Sequence, residues 1–162
     1  MPRLFEAREI IGLAIRIEEN GEEFYTRLAN ATKNLQVKET FEFLAGEERK
    51  HRNLFREIQQ RIGEFKPIYE SYPGEYLNYV KALAEENIFT KERYGQLLAN
   101  QLKTNTAALD TAIGLEKDSI LFYDEIKNFI PESEHETINE IIRQEKEHMR
   151  KLSEIKRIQQ KT

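Results

Sequence analysis

The chain has 162 residues, 33% of them charged, with a formal net charge of -4 and no cysteine. That length suits one domain over 1–162 with a single core. The acidic balance offers no field for nucleic-acid phosphates, no segment approaches the roughly 20 apolar residues that span a bilayer, and the missing cysteine excludes disulfides, iron–sulfur clusters and thiolate-bound zinc or iron within the chain.

With only 7 Gly and 4 Pro, and apolar residues every three or four positions, the sequence predicts an all-α protein. Met1-Pro2-Arg3-Leu4-Phe5-Glu6 leads directly into charged helical sequence, without the pattern of a signal peptide, so a cytoplasmic protein is expected. The first helix covers residues 6–31, with a core stripe of Ala7, Ile10, Ala14, Glu18, Gly21, Tyr25 and Leu28. Asn34 interrupts, and a second helix over 36–62 carries Val37, Phe41, Leu44, Glu48, His51, Phe55, Ile58 and Ile62.

Residues 64–104 are too long for a turn, include Pro67, Pro73 and Gly74, and hold helical patterns near 75–86 and 91–102. They predict a long helical crossover that returns the chain to the other end of an antiparallel four-helix bundle. A third long helix over 106–129 has the stripe Leu109, Ala112, Glu116, Ser119, Tyr123, Ile126 and Ile130. After Pro131, the pattern Ser133-Glu134-His135-Glu136 predicts a capping box opening a fourth helix over 133–158, with the stripe Ile138, Ile141, Glu145, His148, Leu152 and Ile155.

The two halves repeat. A Glu precedes a Tyr by seven residues in Glu18/Tyr25 and again in Glu116/Tyr123, and each Glu is followed about thirty residues later by Glu-x-x-His, as Glu48/His51 and Glu145/His148. The two helix pairs are therefore expected to be related by an approximate two-fold axis. Every stripe is apolar or small except at its middle. Four carboxylates converging in a core would be far too costly unless cations balance them, and two divalent ions would neutralise four Glu with two neutral imidazoles. The i, i+3 spacing lets each Glu/His pair reach one metal, while Glu18 and Glu116 could bridge or chelate. Oxygen-rich ligation with one His per metal suits iron, or manganese, better than a closed structural zinc site.

Glu132-x-x-His135 also has the motif spacing, but His135 lies about 220° around the helix from His148 and is expected at the surface. Glu19, Glu22, Glu23 and Glu47 are expected on solvated faces, and Phe24 and Phe122 in packing. Tyr25 and Tyr123 read equally well as core aromatics or as hydrogen-bonding partners of the ligating carboxylates that move protons or electrons.

These segments resemble the rubrerythrin family of the ferritin-like superfamily. Ile17-Glu18-Glu19-Asn20-Gly21-Glu22-Glu23-Phe24-Tyr25, Glu48-x-x-His51, Leu115-Glu116 through Phe122-Tyr123, and Glu145-x-x-His148 carry the likeness along essentially the whole chain. The resemblance implies a ferritin-like bundle holding a non-haem centre of two iron ions, with manganese or zinc as substitutes, on Glu18, Glu48, His51, Glu116, Glu145 and His148. It also implies an oxidoreductase that reduces hydrogen peroxide or dioxygen and a role in oxidative stress. With no cysteine for a rubredoxin-type site, electrons would come from a separate donor protein, and a homo-oligomer, dimer favoured, is expected. Where typical rubrerythrins carry a further Glu three residues after the third-helix ligand, this chain has Ser119. The bare set of four Glu and two His also resembles the ferroxidase centre of bacterioferritins, although Arg49 stands where their haem-binding Met would be. Iron handling is thus the alternative activity.

Overall fold

A computed structural model describes residues 7–63, 74–86 and 94–161, and their regular structure is entirely helical. The helices are α1 (Ala7–Ala31), α2 (Leu35–Ile62), α3 (Gly74–Glu86), α4 (Tyr94–Gln101), α5 (Asn105–Ile126) and α6 (His135–Gln160). The four long helices and both crossover helices fall where periodicity places them; residues 91–93 of the expected second crossover helix lie outside the described residues. None of the described helices is long and apolar enough to cross a membrane.

Local chemistry sets several of the helix ends. Asn34 is extended at φ -82°, and its side-chain oxygen accepts the Val37 N–H at 3.0 Å, satisfying one of the orphan donors that open α2. Thr104 does the same for α5 through the Ala107 N–H at 3.1 Å. At its other end α2 stops at Gly63, whose φ of 51° favours glycine.

The fourth helix departs from the expected capping box. Residues Glu132–Glu134 form a short 3-10 turn, α6 begins only at His135, and no side chain caps it. Glu134 is buried because the Arg61 guanidinium holds both its carboxylate oxygens at 2.9 Å, tying the end of α2 to the start of α6. The third long helix also ends earlier than expected, at Ile126, passing into a 3-10 turn over Lys127–Phe129.

Side-chain pairs fix the bundle's topology. Arg49 and Arg52 of α2 meet Glu22 of α1, Arg56 meets Glu19, and Gln59 reaches the Arg8 carbonyl, so α1 and α2 run antiparallel. Asn34–Gln159, His51–Gln144 and Arg61–Glu134 set α2 antiparallel to α6. Thr32–Asn105, Tyr25–Glu116 and Glu18–Tyr123 set α1 antiparallel to α5, and Asp110–Lys156 with Lys127–Asn139 closes the ring between α5 and α6. The start of α5 therefore lies beside the end of α1, opposite the end of α2. A 28-residue α2 is about 40 Å long at about 1.5 Å per residue, and the crossover must carry the chain back over that distance.

All residues of the four core stripes are buried. Phe24, Phe41, Phe55, Phe122 and Phe129 are among the largest fully buried side chains, each stabilising the fold by about 1.5–3 kcal/mol relative to exposure. Val80 of α3 and Ala99 of α4 join the buried core, and a hydrogen bond ties α4 to α1. Asn20, buried on α1, accepts the Gly95 N–H of α4 through its side-chain oxygen at 3.0 Å, and a Cβ at position 95 would overlap the Asn20 carbonyl. Asn20→Ala would leave that buried N–H without its acceptor, and we expect a loss of about 1–3 kcal/mol in urea unfolding. An unchanged midpoint would show that α4 is not held at this contact.

Candidate metal centre

Midway along the bundle the four stripes bring their polar residues together. Glu18, Glu48, His51, Glu116, Glu145 and His148 are all at most 5% exposed. They form two overlapping groups: Glu18, Glu48, His51 and Glu145 in one, and Glu48, Glu116, Glu145 and His148 in the other, with donor atoms in each within 4.8 Å of one another. Glu48 and Glu145 belong to both groups. The shared carboxylates are therefore those of the Glu-x-x-His pairs, while Glu18 and Glu116 each belong to one group.

The imidazoles face each other across the α2–α6 seam, with ring centroids 5.6 Å apart. Each turns Nδ1 inward: His51 Nδ1 is 3.1 Å from Glu145 Oε1, and His148 Nδ1 is 2.9 Å from Glu145 Oε2. Two carboxylate oxygens, Glu18 Oε2 and Glu48 Oε1, are buried without any hydrogen-bond partner. Buried anionic oxygens are not left bare without cost, and a hard cation between them would satisfy both. Gly21, one turn beyond Glu18, makes the room: a Cβ there would lie 2.7 Å from Glu48 Oε2.

The tyrosines bind reciprocally between the two halves. Tyr25 of α1 donates its hydroxyl to Glu116 Oε1 of α5 at 2.6 Å, and Tyr123 of α5 donates to Glu18 Oε1 of α1 at 2.5 Å. Stacking by Phe41 on Tyr25 and tilted packing of Phe55 on Tyr123 close an apolar shell around both phenols. Phe24 and Phe122 are buried in packing, as expected.

Other residues fall outside the cluster or join it unexpectedly. His135 is half-buried, with Nε2 3.3 Å from the Ile130 carbonyl, and takes no part. Ser119 is buried, but its hydroxyl returns to the Leu115 carbonyl at 3.0 Å within its own helix. Glu47 does not lie on a solvated face: its side chain is 14% exposed and its carboxylate stands 3.7 Å from His148 Nε2. Gln144, not singled out by the sequence, accepts from His51 Nε2 at 2.7 Å through its amide oxygen. The available signal was position, since each directly precedes a shared Glu.

The sequence model of the Rubrerythrin family matches residues 9–156. The chain belongs to the Rubrerythrin family. It is also similar, at 32% identity and a TM-score of 0.68, to a Thermotoga maritima crystal structure described as a ferritin-like diiron-carboxylate protein; the match covers 97% of this chain and 98% of that one. No curated protein matches it. Family and donor set agree on a carboxylate-rich site for two metal ions.

Without metal, this rubrerythrin-family cluster is held by protons. Burial, reinforced by the charges of Glu18, Glu145 and Glu116, pushes the Glu48 carboxyl well above the usual carboxylate range. Burial and the charge of Glu145 do the same to Glu116 against the hydrogen bond from Tyr25. For Glu145 burial is outweighed by the charge of His51 and the hydrogen bonds from both histidines, which hold it well below that range. Burial disfavours charge on His51, but Glu145 and Glu18 together push its pKa up to about 12. Burial and the adjacent carboxylates raise both tyrosines well above 10.0.

Stability of the metal-free protein should follow from these directions. Glu48, Glu116 and His51 bind protons more tightly in the folded state, so their contribution is full at low pH and is lost as pH rises through their folded values. Glu145 behaves oppositely, and its contribution is lost only as pH falls below 4.5 toward its folded value. Between pH 6 and 9 the first three govern, and unfolding in chelator should become easier with rising pH by up to about 1.4 kcal/mol per unit for each proton involved. Metal binding should release protons, so stabilisation by metal should grow over the same range. Calorimetric melts with and without metal check this, and a metal-free melting temperature that climbs with pH would contradict the assignment.

Replacing one carboxylate should relieve the empty cluster only if its phenol is also dealt with. Glu116→Leu alone would leave the Tyr25 hydroxyl buried and unpaired, at about 1–3 kcal/mol. The double variant Glu116→Leu/Tyr25→Phe should therefore melt above the metal-free parent, whereas Glu116→Leu should melt below the double variant. Thermal melts in excess chelator decide the order.

Proposed function

We propose that the chain is a non-haem di-iron oxidoreductase that reduces hydrogen peroxide or dioxygen with electrons from a separate donor protein. The observation that carries this reading is the pair of overlapping donor groups, two of whose buried carboxylate oxygens, Glu18 Oε2 and Glu48 Oε1, have no hydrogen-bond partner. The six ligands would be Glu18, Glu48, His51, Glu116, Glu145 and His148. Carboxylate oxygens with one imidazole per ion favour iron, with manganese or zinc as weaker candidates.

Bound irons would supply Lewis acidity toward an O–O bond and the electrons to reduce it. The protein's part is to hold charge and protons. Glu48 and Glu145, shared between the two groups, can change their mode of binding as charge at the site changes. Tyr25 holds a proton at Glu116 Oε1 and Tyr123 holds one at Glu18 Oε1, so each phenol can return a proton to the carboxylate that needs it. The buried phenylalanines keep water from the same space. Because the chain has no cysteine, reducing equivalents must enter from a partner. A cytoplasmic homodimer is the assembly and location that accord with this activity.

Iron handling is the second reading. It is favoured by Ser119, whose hydroxyl is committed to the helix backbone and leaves the donor set at four Glu and two His.

Anaerobically purified protein should bind two ferrous ions per chain. Stopped-flow mixing with peroxide should oxidise them quickly, and turnover should continue only with an added reductant. Tyr25→Phe/Tyr123→Phe should keep the two-iron stoichiometry and slow the oxidation. Sustained turnover without a donor would rule out the donor-dependent scheme, and iron accumulating as mineral within a large assembly would favour storage.

A further inference from the structure

The sequence repeat that pairs Glu48 with Glu145 also pairs the residues immediately before them, and these are not alike: Glu47 on α2 and Gln144 on α6. Each crosses the α2–α6 seam to the outward ring nitrogen of the other helix's histidine. Gln144 Oε1 lies 2.7 Å from His51 Nε2, and Glu47 Oε2 lies 3.7 Å from His148 Nε2. Both side chains are half-buried, so neither contact is fully screened by solvent.

Supporting contacts hold both groups in these orientations. The Gln144 amide nitrogen donates to Glu140 Oε1 at 3.1 Å, turning the amide oxygen toward His51. An amide oxygen only accepts, so His51 Nε2 carries a hydrogen and Nδ1 faces the carboxylates. Glu140 itself is paired with Arg143. Glu47 is steadied from outside by Lys50 at 2.7 Å. One histidine thus has a neutral amide behind it and the other a carboxylate. At 3.7 Å the Glu47 carboxylate lies beyond hydrogen-bond reach of His148 Nε2 and acts through its charge, which favours a cation at the inner ring nitrogen, whereas the Gln144 amide brings no charge; groups behind ligating imidazoles change metal affinity by roughly 10–100-fold.

We propose that Glu47 and Gln144 are positioning residues that make the two metal positions unequal, the ion beside His148 being held more tightly than the ion beside His51. This inference rests on the two-metal reading above. It implies ordered loading: the group of Glu48, Glu116, Glu145 and His148 fills first, and the group containing Glu18 and His51 takes the more exchangeable ion.

The test uses the metal-free full chain and cobalt(II), whose ligand-field spectrum reports each step and whose affinity is read by calorimetry. The parent should bind two ions in steps separated by about tenfold or more. In a His148→Ala background the tight step should vanish, and in His51→Ala the weak one. Glu47→Gln should weaken the first step about tenfold, Gln144→Glu should strengthen the second, and the combined swap should reverse which histidine substitution removes the tight step. These are near-isosteric exchanges, so a merely structural role would leave both the order of the steps and their spectra unchanged. Two equal steps in the parent, or a swap that leaves the order intact, would overturn the inference while leaving the two-metal site standing. Failure of the parent to bind cobalt or ferrous iron at all would overturn the two-metal reading and this inference with it.

Discussion

Four carboxylates brought within a few ångströms of one another inside an apolar core dominate the design of this molecule. Their repulsion and lost hydration oppose folding, and the surrounding features offset that cost. Gly21 supplies space for Glu48, the histidines lie against Glu145, and each tyrosine lends a hydrogen to a glutamate on the opposite helix pair. The phenylalanines then exclude the water that would otherwise screen the charges. Such an arrangement is worth keeping only for what it binds.

The outer surface of the bundle follows the opposite rule. Arg49 and Arg56 of α2 meet Glu22 and Glu19 of α1 where solvent reaches them, and exposed pairs of this kind contribute little individually, while Arg52 meets Glu22 in a half-buried pair. They add register: a slip of one turn between α1 and α2 would break the ladder and separate Glu18 from Glu48. The two-pronged Arg61–Glu134 pair does the same between α2 and α6.

Much of this was legible in the sequence because helical periodicity is a strong signal and charged residues on an apolar stripe contradict it. Glu18, Glu48, His51, Glu116, Glu145 and His148 could be found that way, and the repeat separated them from the decoy at His135. What could not be read was the relation between helices. Glu47 and Gln144 lie off the stripes and acquire meaning only from the seam between α2 and α6. Asn20 looks like an ordinary polar residue until α4 covers it. Which carboxylates are shared likewise depends on how the helices face one another, so the sequence left Glu18 and Glu116 open as bridges. The capping box expected at Ser133 gives way to a 3-10 turn over Glu132–Glu134, and the four-residue pattern equally could not show that Arg61, more than seventy positions away, holds Glu134.

The division of the donors between the helix pairs has a further consequence for how the chain is tied together. α1 and α2 own Glu18, Glu48 and His51, and α5 and α6 own Glu116, Glu145 and His148, yet each group draws its fourth donor from the opposite pair. An ion bound in either group is therefore a cross-link between Glu48 and Glu145, positions separated by 97 residues (145 minus 48). Closing so long a loop removes much of the freedom of the unfolded chain, which is the work a disulfide performs in secreted proteins. In a chain without a single cysteine, bound metal would also be the staple.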